Sequence, residues 1–140
     1  MKILVGVDGS ESSQRAVGWC AEHAPALDAS VVAVYALQMP VYALLPDAYA
    51  PPVYADVDRE NLREELRERW CSRLNAANVP FDAKVIEGYP ADVIIETARR
   101  EQADLVVIGR RGLGGFKKML LGSTSHQLAQ HLDRTLVIVP

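Results

Sequence analysis

Ala103-Asp104-Leu105-Val106-Val107-Ile108-Gly109-Arg110-Arg111-Gly112 is the stretch on which the fold turns. Its four consecutive aliphatic residues, Leu105 to Ile108, are too few for a helix and do not alternate with polar ones, which is the pattern of a parallel strand covered on both faces. The strand gives out directly into Gly109, Gly112 follows, and Gly122-Ser123 completes a G-x2-G-x9-G-S set. A buried strand that opens into glycines and then into a helix start offers bare backbone N–H groups to a phosphate chain. The first expectation is therefore nucleotide binding.

Working outward, residues 3–7, 31–37 and 136–139 are similar runs of Val, Ile and Leu, while 81–87 alternates apolar with polar and suits an edge strand. Between them lie helical faces: Ala16, Val17, Cys20 and Ala24; Leu62, Leu66, Trp70 and Leu74; Ala91, Ile94, Ile95 and Ala98. Pro90 suits the first turn of the third helix, Ser10 or Ser12 the cap of the first, and Ser123 or Thr124 the cap of the fourth. The order βαβαβαβαβ predicts a doubly wound, three-layer α/β fold with a five-stranded parallel sheet. Ligands in such sheets sit beyond the carboxyl ends of the strands, where the strand order reverses. With order 3-2-1-4-5, strands one and four are neighbours, and Asp8 and Gly109 share one crevice.

Composition sets the class. The 140 residues suit one domain, 1–140, that buries roughly two-thirds of its unfolded surface without a metal or disulfide framework. A hydrophobic content of 49% with a net charge of -3 describes an ordinary globular protein and gives no sign of a nucleic-acid partner. The apolar start before Asp8 is too short for a signal-peptide core or a membrane span, so the expected location is cytoplasmic, with no membrane partner. Cys20 and Cys71 lack the spacing of a redox or zinc motif and are expected to be structural. His23, His126 and His131 pair with no nucleophile and are read in the same way.

The glycine set is neither a Walker loop, since no Gly-Lys-Ser/Thr follows at the required distance, nor G-x-G-x-x-G, since Lys117 stands where the third glycine belongs. It reads as a two-part cradle: Gly109 and Gly112 let the backbone approach the ligand, and Gly122 and Ser123 open the fourth helix. Alanine at Gly122 is expected to abolish binding. Residues 110–118 hold Arg110, Arg111, Lys117 and Lys118 and no acid, a basic patch in an acidic chain that suits either an anion or solvent. Across the crevice Asp8 suits ribose hydroxyls, a hydrated metal ion, or the turn into Ser10. Residues 38–56, rich in Pro and Tyr, are too long for an ordinary connection and read as a flap at the pocket mouth or as an excursion without role. The acid and base runs of the second helix, from Arg59 to Glu68, read as a solvated face.

The opening Ile3-Leu4-Val5-Gly6-Val7-Asp8-Gly9-Ser10, the run 103–109 and the glycine set together resemble the universal stress protein family, and specifically its ATP-binding branch. The likeness spans essentially the whole chain. It implies strand order 3-2-1-4-5 and an adenine-nucleotide site whose motif residues here are Gly109, Gly112, Gly122 and Ser123. By the same resemblance Val7 and Asp8 line the adenosine end, Ala36 packs near the base, and Ile108, Arg110 and Thr124 neighbour the phosphates. ATP with Mg2+ or Mn2+ is the implied ligand, Asp8 being the candidate for indirect metal contact. The resemblance also implies a homodimer paired through the last strand, Thr135 to Val139. Two departures stand out: the Arg110-Arg111 pair, which either aids or hinders phosphate binding, and Ala36, smaller than the valine common in relatives.

The expected function is thus a cytoplasmic stress-response protein that binds ATP at the carboxyl ends of strands one and four and acts as a nucleotide-dependent dimeric regulator. The alternative is a slow ATPase or a phosphoryl or adenylyl transferase in the same pocket, for which no second carboxylate or activated nucleophile stands beside Asp8. A phosphoacceptor receiver is disfavoured, because Glu87-Gly88 and terminal Pro140 stand where its aspartate and lysine belong.

Overall fold

A computed structural model describes residues 1–38, 58–113 and 121–140. Strands β1 (Lys2–Gly6), β2 (Ser30–Leu37), β3 (Phe81–Glu87), β4 (Leu105–Gly109) and β5 (Thr135–Val139) form one sheet in the order β3-β2-β1-β4-β5. Every neighbouring pair is parallel. The expected topology is therefore present, and the alternating 81–87 segment occupies one edge, where one face needs less cover.

Side-chain alternation along each strand feeds two cores. Ile3, Val5, Val31, Ala33, Leu105 and Val107 pack with Ala16, Val17 and Cys20 of α1 (Glu11–His23) on one face. Leu4, Val34, Val106 and Ile108 pack on the other against Ala91, Val93, Ile94 and Ala98 of α4 (Pro90–Arg100) and Leu128 of α5 (Ser123–His131). Beyond Lys2, the central strands β1 and β4 are apolar because both of their faces are covered.

The second helical pattern is not one regular helix. It runs as α2 (Arg59–Glu65), a π-helical turn over Leu66–Trp70 and α3 (Ser72–Ala76), with the Cys71 N–H donating to the Leu66 carbonyl at 2.9 Å. The reason lies in the spacing: Leu62, Leu66, Trp70 and Leu74 recur every four residues, whereas a regular helix turns in about 3.6. One wider turn takes up the surplus and keeps Leu66 and Leu74 fully buried. The charged residues of this segment are exposed except for the partly buried Glu65, yet two of them reach the sheet edge: Arg59 pairs with Glu87 and Arg63 with Asp82.

Helix starts differ in one respect from expectation. Ser10 caps α1, its Oγ accepting from the Ser13 N–H at 3.1 Å, and Pro90 opens α4. For α5 the cap position is Gly122, with no side-chain capping bond, and Ser123 already lies inside the helix. Thr124 is therefore not the cap either. The segment 39–56, which holds nearly all of the expected flap, and Lys117 and Lys118 lie outside the described residues.

Candidate functional site

The strand order places the ends of β1 and β4 side by side, and a cavity of about 600 Å3 opens there, within the range of small-molecule sites, about 300–1,000 Å3. Asp8 ties its two sides together. Its Oδ1 accepts from the Ser10 N–H at 3.0 Å, within its own turn, and its Oδ2 accepts from the Leu113 N–H at 3.3 Å, across the crevice. The Asp8 N–H in turn donates to Ser13 Oγ at 3.3 Å. The turn-capping role and the cross-crevice role are thus held by one carboxylate.

The glycines answer to these contacts. A Cβ on Gly109 would stand 2.5 Å from the backbone carbon and oxygen of Ser12, and one on Gly112 would stand 2.6 Å from Asp8 Oδ2. Gly122 differs: its φ of -70° is ordinary for any residue, and the nearest atom to an added Cβ is Arg111 Cα at 3.3 Å. The loop and helix are then sutured. The Gly122 N–H donates to the Arg110 carbonyl at 2.9 Å, and Ser125 Oγ donates to the carbonyls of Gly109 and Arg110, both at 3.1 Å. The first intrahelical bond of α5 runs from the His126 N–H to the Gly122 carbonyl, so the N–H groups of Ser123, Thr124 and Ser125 lie ahead of the helical ladder.

Val7, Asp8, Ala36, Ile108, Gly109, Gly112, Gly122, Ser123 and Thr124 all line the cavity. Arg110 does not stand among the described lining residues. Its backbone is spent on structure, the N–H donating to the Val139 carbonyl at 2.8 Å and the carbonyl accepting from Gly122 and Ser125. Arg111 lines the cavity instead. Its N–H donates to Ser12 Oγ at 3.2 Å, while its Nε is buried with no hydrogen-bond partner among the described residues. A buried guanidinium nitrogen without an acceptor is costly, and an anion in the cavity would supply one.

The lining also includes Ser13, Tyr89, Pro90, Ile94 and Leu113, which sequence reading did not assign to the site. The cavity has two chemical ends. The end over β4 and α5 is backbone N–H, hydroxyl and Arg111; the end over β2 and α4 is mainly apolar, with Val34, Ala36, Pro90 and Ile94 beside Tyr35, Gln38 and Tyr89. Asp8 is the one carboxylate among the described lining residues. No group of three or more His, Cys, Asp or Glu side chains is placed to hold a metal among the described residues, so a divalent cation there would depend on ligand oxygens as well as Asp8.

The universal stress protein family matches the chain over residues 1–140. The chain belongs to that family. Similar relatives include the universal stress protein encoded in the QAH/OAS sulfhydrylase 3' region of Thermus aquaticus, 30% identical over 138 residues that cover 98% of this chain and 96% of that protein. Universal stress protein YxiE of Bacillus subtilis is 30% identical over 144 residues, 99% of this chain and 97% of that one. Among solved structures, universal stress protein UspA from Lactobacillus plantarum superposes with a TM-score of 0.81 at 22% identity, covering 100% of this chain and 97% of that chain. A universal stress protein solved in complex with cAMP superposes with a TM-score of 0.73 at 27% identity, with the same two coverages. As a stress protein of this family the chain has no helix, among the described residues, long and apolar enough to cross a membrane.

Proposed function

We propose that this universal stress protein binds an adenine nucleotide, ATP before others, in the cavity between the ends of β1 and β4. The observation that carries the reading is the two-ended cavity: N–H groups ahead of α5 and an Arg111 Nε without a partner among the described residues at one end, an apolar floor at the other. The cAMP complex of a relative at 27% identity supports the same ligand class. Phosphates lie against Gly109, Gly112, Gly122, Ser123 and Thr124 with Ile108 beside them, Asp8 accepts from ribose hydroxyls, and Val7 and Ala36 flank the nucleoside. Each charge-assisted N–H bond to phosphate contributes about 1.5–3 kcal/mol, whereas the helix dipole adds about 0.3–1, so directed N–H groups dominate.

Asp8 would be the residue to hold Mg2+ or Mn2+ indirectly together with the phosphates, and the cation would supply neutralisation of phosphate charge. Asp8 as the one carboxylate among the described lining residues favours a binding protein over an efficient hydrolase. The whole chain acts as one nucleotide-binding domain in the cytoplasm, and it signals as a homodimer through β5, whose half-buried Leu136, Val137, Ile138 and Val139 lie at a sheet edge that a second copy would cover.

Isothermal titration with ATP, with and without Mg2+, is the test. A micromolar dissociation constant, about -8 kcal/mol, is the expected result. No heat of binding at millimolar ATP would end this reading, and sustained ADP release above that of a Gly109→Val control would move it to an ATPase.

A further inference from the structure

Tyr89 stands at the mouth of the cavity, at the start of α4, and breaks a local rule. It occupies the cap position of that helix, where Ser, Thr, Asp or Asn would hold the first N–H groups, and it makes no side-chain capping bond. It is also 63% exposed although it lines the cavity. Where a residue neither caps nor buries itself, local stability does not account for it.

Its backbone is nonetheless held from both sides. Gly88 before it has φ 145°, a conformation reserved for glycine, and a Cβ there would meet Val93 Cγ2 at 2.9 Å. Pro90 after it restricts Tyr89 to extended backbone, observed at φ -73° and ψ 136°. A large aromatic side chain is thus carried on a fixed mount beside the apolar end of the cavity. Val34, Ala36 and Ile94 line the same cavity, and Ala36 leaves more depth than a branched residue would.

We infer that Tyr89 is a base-stacking residue: its ring covers one face of a flat aromatic base whose other face rests on the floor at Val34, Ala36 and Ile94. This rests on the nucleotide reading and deepens it, since it assigns recognition of the base to a side chain remote from the phosphate cradle. Stacking tolerates any base with a π face and rewards larger rings, so purine nucleotides are favoured over pyrimidine ones.

The experiment is a titration of wild type, Tyr89→Phe and Tyr89→Ala with ATP, CTP and inorganic tripolyphosphate, with thermal melts of all three proteins. Melts are expected to agree, because the exposed side chain caps nothing. Tyr89→Ala should weaken ATP about tenfold, Tyr89→Phe should match wild type, and tripolyphosphate should bind all three alike. Equal ATP affinity in all three overturns stacking and leaves the nucleotide reading standing. Loss in Tyr89→Phe as great as in Tyr89→Ala assigns the contact to the hydroxyl and also overturns stacking. Parallel loss of tripolyphosphate in Tyr89→Ala shows a structural role, and failure of wild type to bind ATP removes the nucleotide reading itself.

Discussion

Asp8 Oδ2 accepts a hydrogen bond from the Leu113 N–H at 3.3 Å, joining the turn after β1 to the glycine loop after β4 across 105 residues of chain. The same oxygen would lie 2.6 Å from a Cβ on Gly112. One carboxylate therefore sets the loop's distance and requires glycine beside it. In Asp8→Asn the uncharged oxygen still serves one N–H while the amide opposes the other. ATP affinity should fall about tenfold, in keeping with about 1.5 kcal/mol for a bond to a charged group. Calorimetric affinity together with the melting temperature checks this, and an unchanged affinity would separate Asp8 from the site.

The three motif glycines should not behave alike. Gly109→Ala drives a methyl into the Ser12 backbone, which cannot yield without moving α1, so both stability and ATP binding should drop. Gly112→Ala should loosen the Asp8 contact and weaken binding at nearly unchanged stability. Gly122→Ala, expected from the sequence to abolish binding, should instead be the mildest, losing a few-fold at most, because its φ of -70° suits any residue and an added Cβ would come no nearer than 3.3 Å to any described residue beyond its chain neighbours. Denaturant melts and ATP titrations of the three variants give the order, and Gly122→Ala as the worst would contradict it.

Arg111 and Arg110 can be told apart by charge removal. Arg111→Gln should reduce ATP affinity more than tenfold and flatten its salt dependence, whereas Arg110→Gln should change either by less than threefold, since only Arg111 lines the described cavity. Titrations at two ionic strengths distinguish them.

At the opposite end of the sheet Glu101 accepts from Lys84 Nζ at 2.5 Å and from Lys2 Nζ at 3.3 Å. The Lys84 hydrogen bond holds the Glu101 carboxyl below its usual 4.5, and the Lys84 ammonium is correspondingly raised above 10.5. A depressed carboxyl stabilises the fold above its unfolded value, and that stability is lost as pH falls through the folded value. A raised ammonium contributes below its unfolded value and is lost as pH climbs through the folded one. Glu101→Gln should therefore cost up to about 1 kcal/mol at neutral pH, with the difference starting to shrink as pH falls below 4.5 or rises above 10.5. Urea melts across that range test it.

Burial pushes the thiols of Cys20 and Cys71 up to about 12. Both are fully buried, and the thiolate is the reactive form. Neither should react with Ellman's reagent at pH 8 in the folded protein, and both should react at once in guanidinium. Rapid labelling of the native chain would contradict this.

Much of this protein was legible in its sequence, because the signals were local. The run Leu105-Val106-Val107-Ile108 and its counterparts declared buried parallel strands, and the glycines after Gly109 marked where the backbone must be bare. Periodicity also found the core faces of α1 and α4, since burial on one side of a helix follows directly from spacing. Only the tertiary structure decided the rest, because contacts across the sheet carry no sequence spacing. The neighbouring of β1 and β4 was expected only through the family resemblance, since neither segment's spacing carries it, and the bond it allows from Leu113 to Asp8 came from the structure alone. The choice of Arg111 over Arg110 depends on which of two adjacent side chains the loop turns inward, and the loop's path is set by Ser12 of α1. Tyr89 enters the site only because α4 begins beside the carboxyl end of β2. The wider turn at Leu66–Trp70 likewise reflects packing that overrides local helical preference, by burying Leu66 and Leu74 against the same sheet face.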